Sequence, residues 1–148
     1  MPGAGDRGLD NTHTWGRPYW GGALFYLLAD VRIRERTDNR AGLQDALRAI
    51  VAGGGNVEVS WDVRRTLAIG DQATGTHVLI ELYDGMRATP VAPDLAQLWQ
   101  RLGVKLTRDG VKFDNDEPLA EIRQAITSHR PFYDLRTMSD TEIRFTAL

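Results

Sequence analysis

Cysteine is absent from the 148 residues. That excludes disulfides, thiol nucleophiles and cysteine-ligated zinc. Histidine is scarce: His13, His77 and His129 are all there are. A zinc site takes three or four ligands, and no H-E-x-x-H brings these histidines together. His77 and Glu81 stand four apart and read as a surface pair with weak helix-supporting contact. Serine is equally rare, and Ser60, Ser128 and Ser139 all lie outside any G-x-S-x-G nucleophile turn. Long apolar runs are missing too. The longest nearly uncharged stretch, Trp20–Ala29, falls far short of the roughly 20 residues that cross a bilayer. The N-terminus carries no apolar core of a signal peptide. One sign of charge does not dominate: the net charge is −2 and the sequence pI about 5.9. A broad basic footprint for nucleic acid is therefore excluded.

What remains is ordinary globular composition, with 42% hydrophobic and 26% charged residues. The length suits one domain with one core. The expected organisation is a flexible lead-in over 1–17, a helical domain over 18–130, and a tail over 131–148 that orders only by docking.

Helical spacing recurs through the middle of the chain. Pro18 suits a first helical turn, and Trp20, Leu24, Leu27, Leu28 and Val31 follow at helical intervals. A helix is expected over 18–36, buried on several sides at its apolar start. After a turn at Thr37–Arg40, Leu43, Leu47, Ile50 and Val51 mark a helix over 41–52 that stops at Gly53. Ser60 is the expected cap of a third helix over 61–69, broken by Gly70. Thr76 is the expected cap of a fourth over 77–87. A fifth spans 94–102 and a last one 118–129. Between them, Val104-Lys105-Leu106 and Val111-Lys112-Phe113 alternate about a Thr-Arg-Asp-Gly turn, the pattern of a hairpin. The fold class is mainly α: a bundle of about six short helices with one small β-hairpin.

Several motifs fail on context. Gly3 to Gly8 matches G-x-G-x-x-G, but no strand precedes it. Gly70 to Thr76 has phosphate-loop glycines without the lysine. Asp114, Asp116 and Glu117 lie where hairpin meets helix and fit capping better than acid–base chemistry. Arginine supplies sixteen of the eighteen basic residues. Arg32, Arg34 and Arg36 cluster where a helix ends and read as a solvated C-terminus, where cations favour the helix dipole.

The most informative stretch is Pro18-Tyr19-Trp20-Gly21-Gly22-Ala23-Leu24-Phe25-Tyr26-Leu27-Leu28. It resembles the P-Y-E-K-G-A-L-x-x-x-L segment of gluzincin zinc aminopeptidases. Asp30 to Thr37 and Leu43 to Arg48 resemble the L-D-x-x-I-R-x-R-T and S-L-D-D-x-L-R patterns of the glycyl-aminopeptidase-like branch. Gly21 stands where that branch has lysine, and Gln44 where it has aspartate. Weaker similarity continues through Glu81–Asp84 and Leu98–Val104. The resemblance implies a C-terminal helical subdomain that forms one wall of a substrate cleft. It implies a catalytic role for Tyr19, whose hydroxyl would stabilise the oxyanion of a tetrahedral intermediate. Trp15, Arg17 and Trp20 are the implied substrate-binding neighbours. No metal ligand is expected in this chain; zinc is implied only for a longer parent, with its ligands and general base upstream. The expected partners are that upstream catalytic domain or a peptide substrate, or a second copy in a homodimer. Neither nucleic acid nor membrane is expected. The rival expectation is a stand-alone binding or scaffolding module built on the aromatic cluster.

Overall fold

The computed structural model describes residues 16–88 and 93–128, the side chains of 16–20 and 88 excepted. Most of the expected lead-in and the whole tail at 131–148 lie outside the described residues. Six helices and one hairpin make up the rest: α1 (Gly16–Arg36), α2 (Leu43–Ala52), α3 (Val63–Thr74), α4 (Val78–Ala88), α5 (Leu95–Arg101), β1 (Val104–Thr107), β2 (Gly110–Phe113) and α6 (Ala120–Thr127). The hairpin is antiparallel, with Val104 opposite Phe113 and Leu106 opposite Val111.

α1 is the central element, because apolar residues on two of its sides serve two clusters. Ala29 and Ile33 join Ala46 of α2 and Val78, Leu79 and Leu82 of α4. Val31 points the other way, to Leu98 and Leu102 on the α5 side and Leu119 and Ile122 on the α6 side. The burial of α1 runs opposite to expectation. None of residues 21–28 is buried, whereas Ala29, Val31, Ile33 and Arg34 all are. Among the described side chains, the more apolar stretch 21–28 is less covered than 29–34.

The turn after α1 is left-handed at Asp38 and Asn39, with φ of 49° and 60°, a conformation that short polar side chains tolerate. It reverses the chain so that α2 lies against α1. α3 differs from expectation at both ends. Asp62, not Ser60, caps it, accepting from the backbone N–H groups of Arg64 and Arg65. Gly70 does not break it. A Cβ there would lie 2.6 Å from Leu79 Cδ1 and 3.0 Å from Ala46 Cβ. Gly70 is thus the contact point at which α2, α3 and α4 come together. The helix stops at Gly75, left-handed with φ 67°.

The cap of α4 also differs. Buried Asp71 reaches over from α3, and its two oxygens accept from Leu79 N at 2.9 Å and Ile80 N at 3.1 Å. Thr76 Oγ1 receives only a long 3.5 Å bond from Val78 N. A carboxylate at a helix N-terminus satisfies orphan donors and the dipole together. Asp94 caps α5, accepting from Gln97 N at 2.9 Å.

Candidate functional site

Of the four expected site residues, Trp15 lies outside the described residues. Arg17, Tyr19 and Trp20 stand in the first turns of α1, with their side chains outside the description. The site is therefore built from what α1 presents next.

Two turns further on, Phe25 and Tyr26 meet edge to face, 5.9 Å between centroids at 77°. They open an apolar cleft of about 310 Å³, walled by Leu43, Leu47 and Ile50 of α2, Val63 and Leu67 of α3, and Tyr83 of α4. Phe25, Leu43 and Leu67 pack inward on the first cluster. Tyr26 is 54% exposed, Leu47 46% and Val63 42%. The α2 pattern explains this: Leu43, Leu47, Ile50 and Val51 span a wider stripe than α1 and α3 cover, and Val51 is 68% exposed. The rim is guarded by the Arg64–Asp84 ion pair, and the Arg64 guanidinium also lies 5.8 Å from the Tyr83 ring centre. The wall carries no carboxylate, histidine or serine. Its polar side-chain groups are the hydroxyls of Tyr26, Thr66 and Tyr83.

A second constellation sits at the corner between α1 and α2. Arg34 is not the solvated residue expected of a helix end. Its Nε donates to Asp30 Oδ1 at 3.0 Å, Nη1 to Asn39 Oδ1 at 2.9 Å and Nη2 to Gln44 Oε1 at 3.1 Å. Asp30 Oδ1 also accepts from Leu43 N at 2.9 Å, and Asp45 Oδ2 accepts from Gly42 N at 2.9 Å. The Thr37 hydroxyl donates to Ile33 O at 2.8 Å and accepts from Ala41 N at 3.1 Å. α1 and α2 are thereby locked, and the donors at the start of α2 are satisfied from α1. Arg40, Arg48 and Ser128 line a polar hollow beside this corner. A sequence reader could have found the Asp30–Arg34 pair from its i, i+4 spacing; nothing local announces Asn39 and Gln44 as its other partners.

No protein-family model, curated protein or solved structure matches this chain.

The metal question is decided by partners. Glu81 does not turn to His77. Its two oxygens accept from Arg36 Nη1 at 3.1 Å and Nη2 at 2.5 Å. That hydrogen bond holds the Glu81 carboxyl below the usual range and raises Arg36, with the charge attraction adding to both. Among the described residues, no three histidine, cysteine or carboxylate side chains gather where a metal could sit. His13 and His129 lie outside them.

The acidic run after the hairpin is structural. Lys105 Nζ donates to Asp114 Oδ2 at 2.7 Å, which raises the lysine and lowers the carboxyl. Asp114 Oδ1 also accepts from Asp116 N at 3.0 Å. Arg123 is a tie that sequence reading missed. It is buried and stacks 4.8 Å from the Phe113 ring centre. Its Nη1 donates to the carbonyls of Leu102, Gly103 and Asp114 at 2.8, 3.1 and 3.0 Å. Those carbonyls lie at the C-terminus of α5 and the exit of β2, so the buried cation is balanced by peptide dipoles. No helix in the description is long and apolar enough to cross a membrane.

Proposed function

We propose that this chain is the non-catalytic C-terminal helical portion of a gluzincin-type metallo-aminopeptidase, forming one wall of its substrate cleft. In this reading Tyr19 donates its hydroxyl to the developing oxyanion, and the zinc ligands and base come from an upstream catalytic domain. The observation that carries it is the inverted burial of α1. The half with the resemblance to the peptidase segment is the apolar half, and its described residues 21–28 are only partly covered. A run of apolar helix residues that stays only partly covered, as residues 23–28 do, is a surface built to be covered. The cleft at Phe25 and Tyr26 continues it. Tyr19 stands in the first turns of the same helix.

Asp30, Arg34, Thr37, Leu43 and Asp45, which carry the second part of the resemblance, are all engaged in hydrogen bonds at the corner between α1 and α2 and bear on the fold.

The test begins with the codons upstream of Met1. An in-frame H-E-x-x-H segment is expected, and the longer product should hydrolyse aminoacyl substrates. Tyr19→Phe in that product should lower kcat by about 10²-fold or more, with KM little changed, since removing one oxyanion donor costs that much. The 148-residue chain alone should release no amino acid. An upstream frame without a metal motif, or a Tyr19→Phe enzyme of full kcat, refutes the proposal.

A further inference from the structure

Asp-Gly occurs twice in the chain, at Asp84-Gly85 and Asp109-Gly110. This dipeptide is chemically fragile because glycine leaves the following amide nitrogen unhindered. The two copies sit in opposite environments.

Asp84 lies inside α4 (Val78–Ala88), and its carboxylate is held by both terminal nitrogens of Arg64. Ring closure there requires the backbone to leave the helix and the carboxylate to leave its partner. Asp109 occupies the two-residue turn between Thr107 and Gly110, which pair across the hairpin. It is exposed, and its carboxylate has no hydrogen-bond or ion-pair partner. Gly110 has φ 122°, and nothing stands within 4 Å of where its Cβ would be. The Asp109 carboxylate and the Gly110 amide that would attack it are therefore neighbours in an exposed turn, and the carboxylate is unpaired.

We infer that Asp109 is a site of spontaneous conversion to β-linked isoaspartate, and that Asp84 is protected from it. The Gly110 amide nitrogen gives up its proton to solvent and attacks Asp109 Cγ. The side-chain carboxyl leaves its oxygen as water, and a five-membered succinimide closes. Water then adds to either ring carbonyl. Opening on one side restores aspartate. Opening on the other moves the main chain through Cγ and inserts a methylene into the turn. No electron changes hands and the final mass equals the initial mass. The inserted atom falls between Thr107 and Gly110, so the damage loosens the register of β1 and β2 at their turn.

The test ages the intact chain at neutral pH and physiological temperature. Isoaspartate is read with a protein-isoaspartate methyltransferase and located by fragment-ion mapping of peptides. Label is expected in the peptide holding Asp109 and not in that holding Asp84. The denatured chain, aged in parallel, should label both and so proves the probe. Asp109→Glu should lose the Asp109 label, because its ring closure would need a six-membered ring. Gly110→Ala should slow labelling, but its strained φ could disturb the turn, so the glutamate variant decides. Label on Asp84 as fast as on Asp109, or an unlabelled Asp109 in a native chain whose denatured form labels, overturns the inference.

Discussion

Two helical glycines should answer the same substitution with opposite sign. Gly70 in α3 and Gly85 in α4 both sit in helix interiors. Replacing either with alanine gains about 1 kcal/mol of helix propensity. At Gly85 nothing else changes, because no atom lies within 4 Å of the new Cβ. At Gly70 the methyl lands 3.0 Å from Ala46 Cβ, which is anchored to the α2 backbone. It also lands 2.6 Å from Leu79 Cδ1. Leu79 is 2% exposed and lies on the wall of the cleft beside Phe25, so its methyl can yield only by repacking there. Overpacking of this kind costs about 1–3 kcal/mol. The gain is thus cancelled or exceeded, and Gly70→Ala should be destabilised by up to about 2 kcal/mol. For a chain of this size each kcal/mol moves Tm by about 2–4 °C. Gly85→Ala should then melt higher than the parent by about that much, and Gly70→Ala lower or level. Thermal and urea unfolding followed by circular dichroism read both. If Gly70→Ala is stabilised as much as Gly85→Ala, the three helices do not approach as closely as described, and Gly70 is an ordinary helix interior.

Three more outcomes are expected. Asp71→Ala should cost about 1–3 kcal/mol, because Leu79 N and Ile80 N lose their acceptor in a buried setting; urea midpoints check this. Arg34→Leu should cost about 3 kcal/mol, since it leaves Asp30 largely buried without its cation, and Arg34→Lys should recover only part of it, because an ammonium cannot span Asp30, Asn39 and Gln44. The Lys105–Asp114 pair should set a pH window. Asp114 is lowered from 3.8, so its contribution is present above that value and lost as pH falls through the depressed one. Lys105 is raised from 10.5, so its contribution is present below that value and lost as pH rises through the raised one. The Tm difference between the parent and Lys105→Met should be flat between those limits and vanish beyond both; a difference that persists in strong acid refutes the pairing.

The fold was legible where one local signal sufficed. Helical spacing gave six helices. The Thr-Arg-Asp-Gly turn gave the hairpin, with Thr107 opposite Gly110. Legibility ended where a residue answers to a distant neighbour. Gly70 looks like a stop signal in sequence, yet its missing side chain is what lets α4 approach α3. Thr76 is a good local cap, but Asp71 outcompetes it because a carboxylate can accept two bonds from across the loop. Arg34 looks like one of three solvated arginines, and only the reversal at Asp38 and Asn39 brings Asn39 and Gln44 onto it. The candidate site was less legible than the fold. The expected residues lie at or before the start of α1, whereas the cleft at Phe25 and Tyr26 draws its walls from four helices.

The two halves of the peptidase resemblance therefore carry different weight. Asp30, Arg34, Thr37 and Asp45 are each used up in closing the corner between α1 and α2. Their hydrogen bonds serve the packing of these two helices, which a fold needs whatever its chemistry. That part of the pattern speaks for a fold. Only Pro18 to Leu28 speaks for an activity, because nothing in a two-helix corner requires a tyrosine ahead of it. A relative that lost its peptidase function would keep the corner and drift in the first turns of α1. Gly21, where the family has lysine, is a departure of that kind. Gln44, where the family has aspartate, is not: its Oε1 still accepts from Arg34 at 3.1 Å, and the corner stays closed. In the proposed reading, the departure that bears on activity is Gly21, and introducing lysine there in the proposed longer product separates a working wall from a degenerate one. A gain in kcat assigns the loss to that position; an unchanged kcat places the chemistry beyond the reach of residue 21.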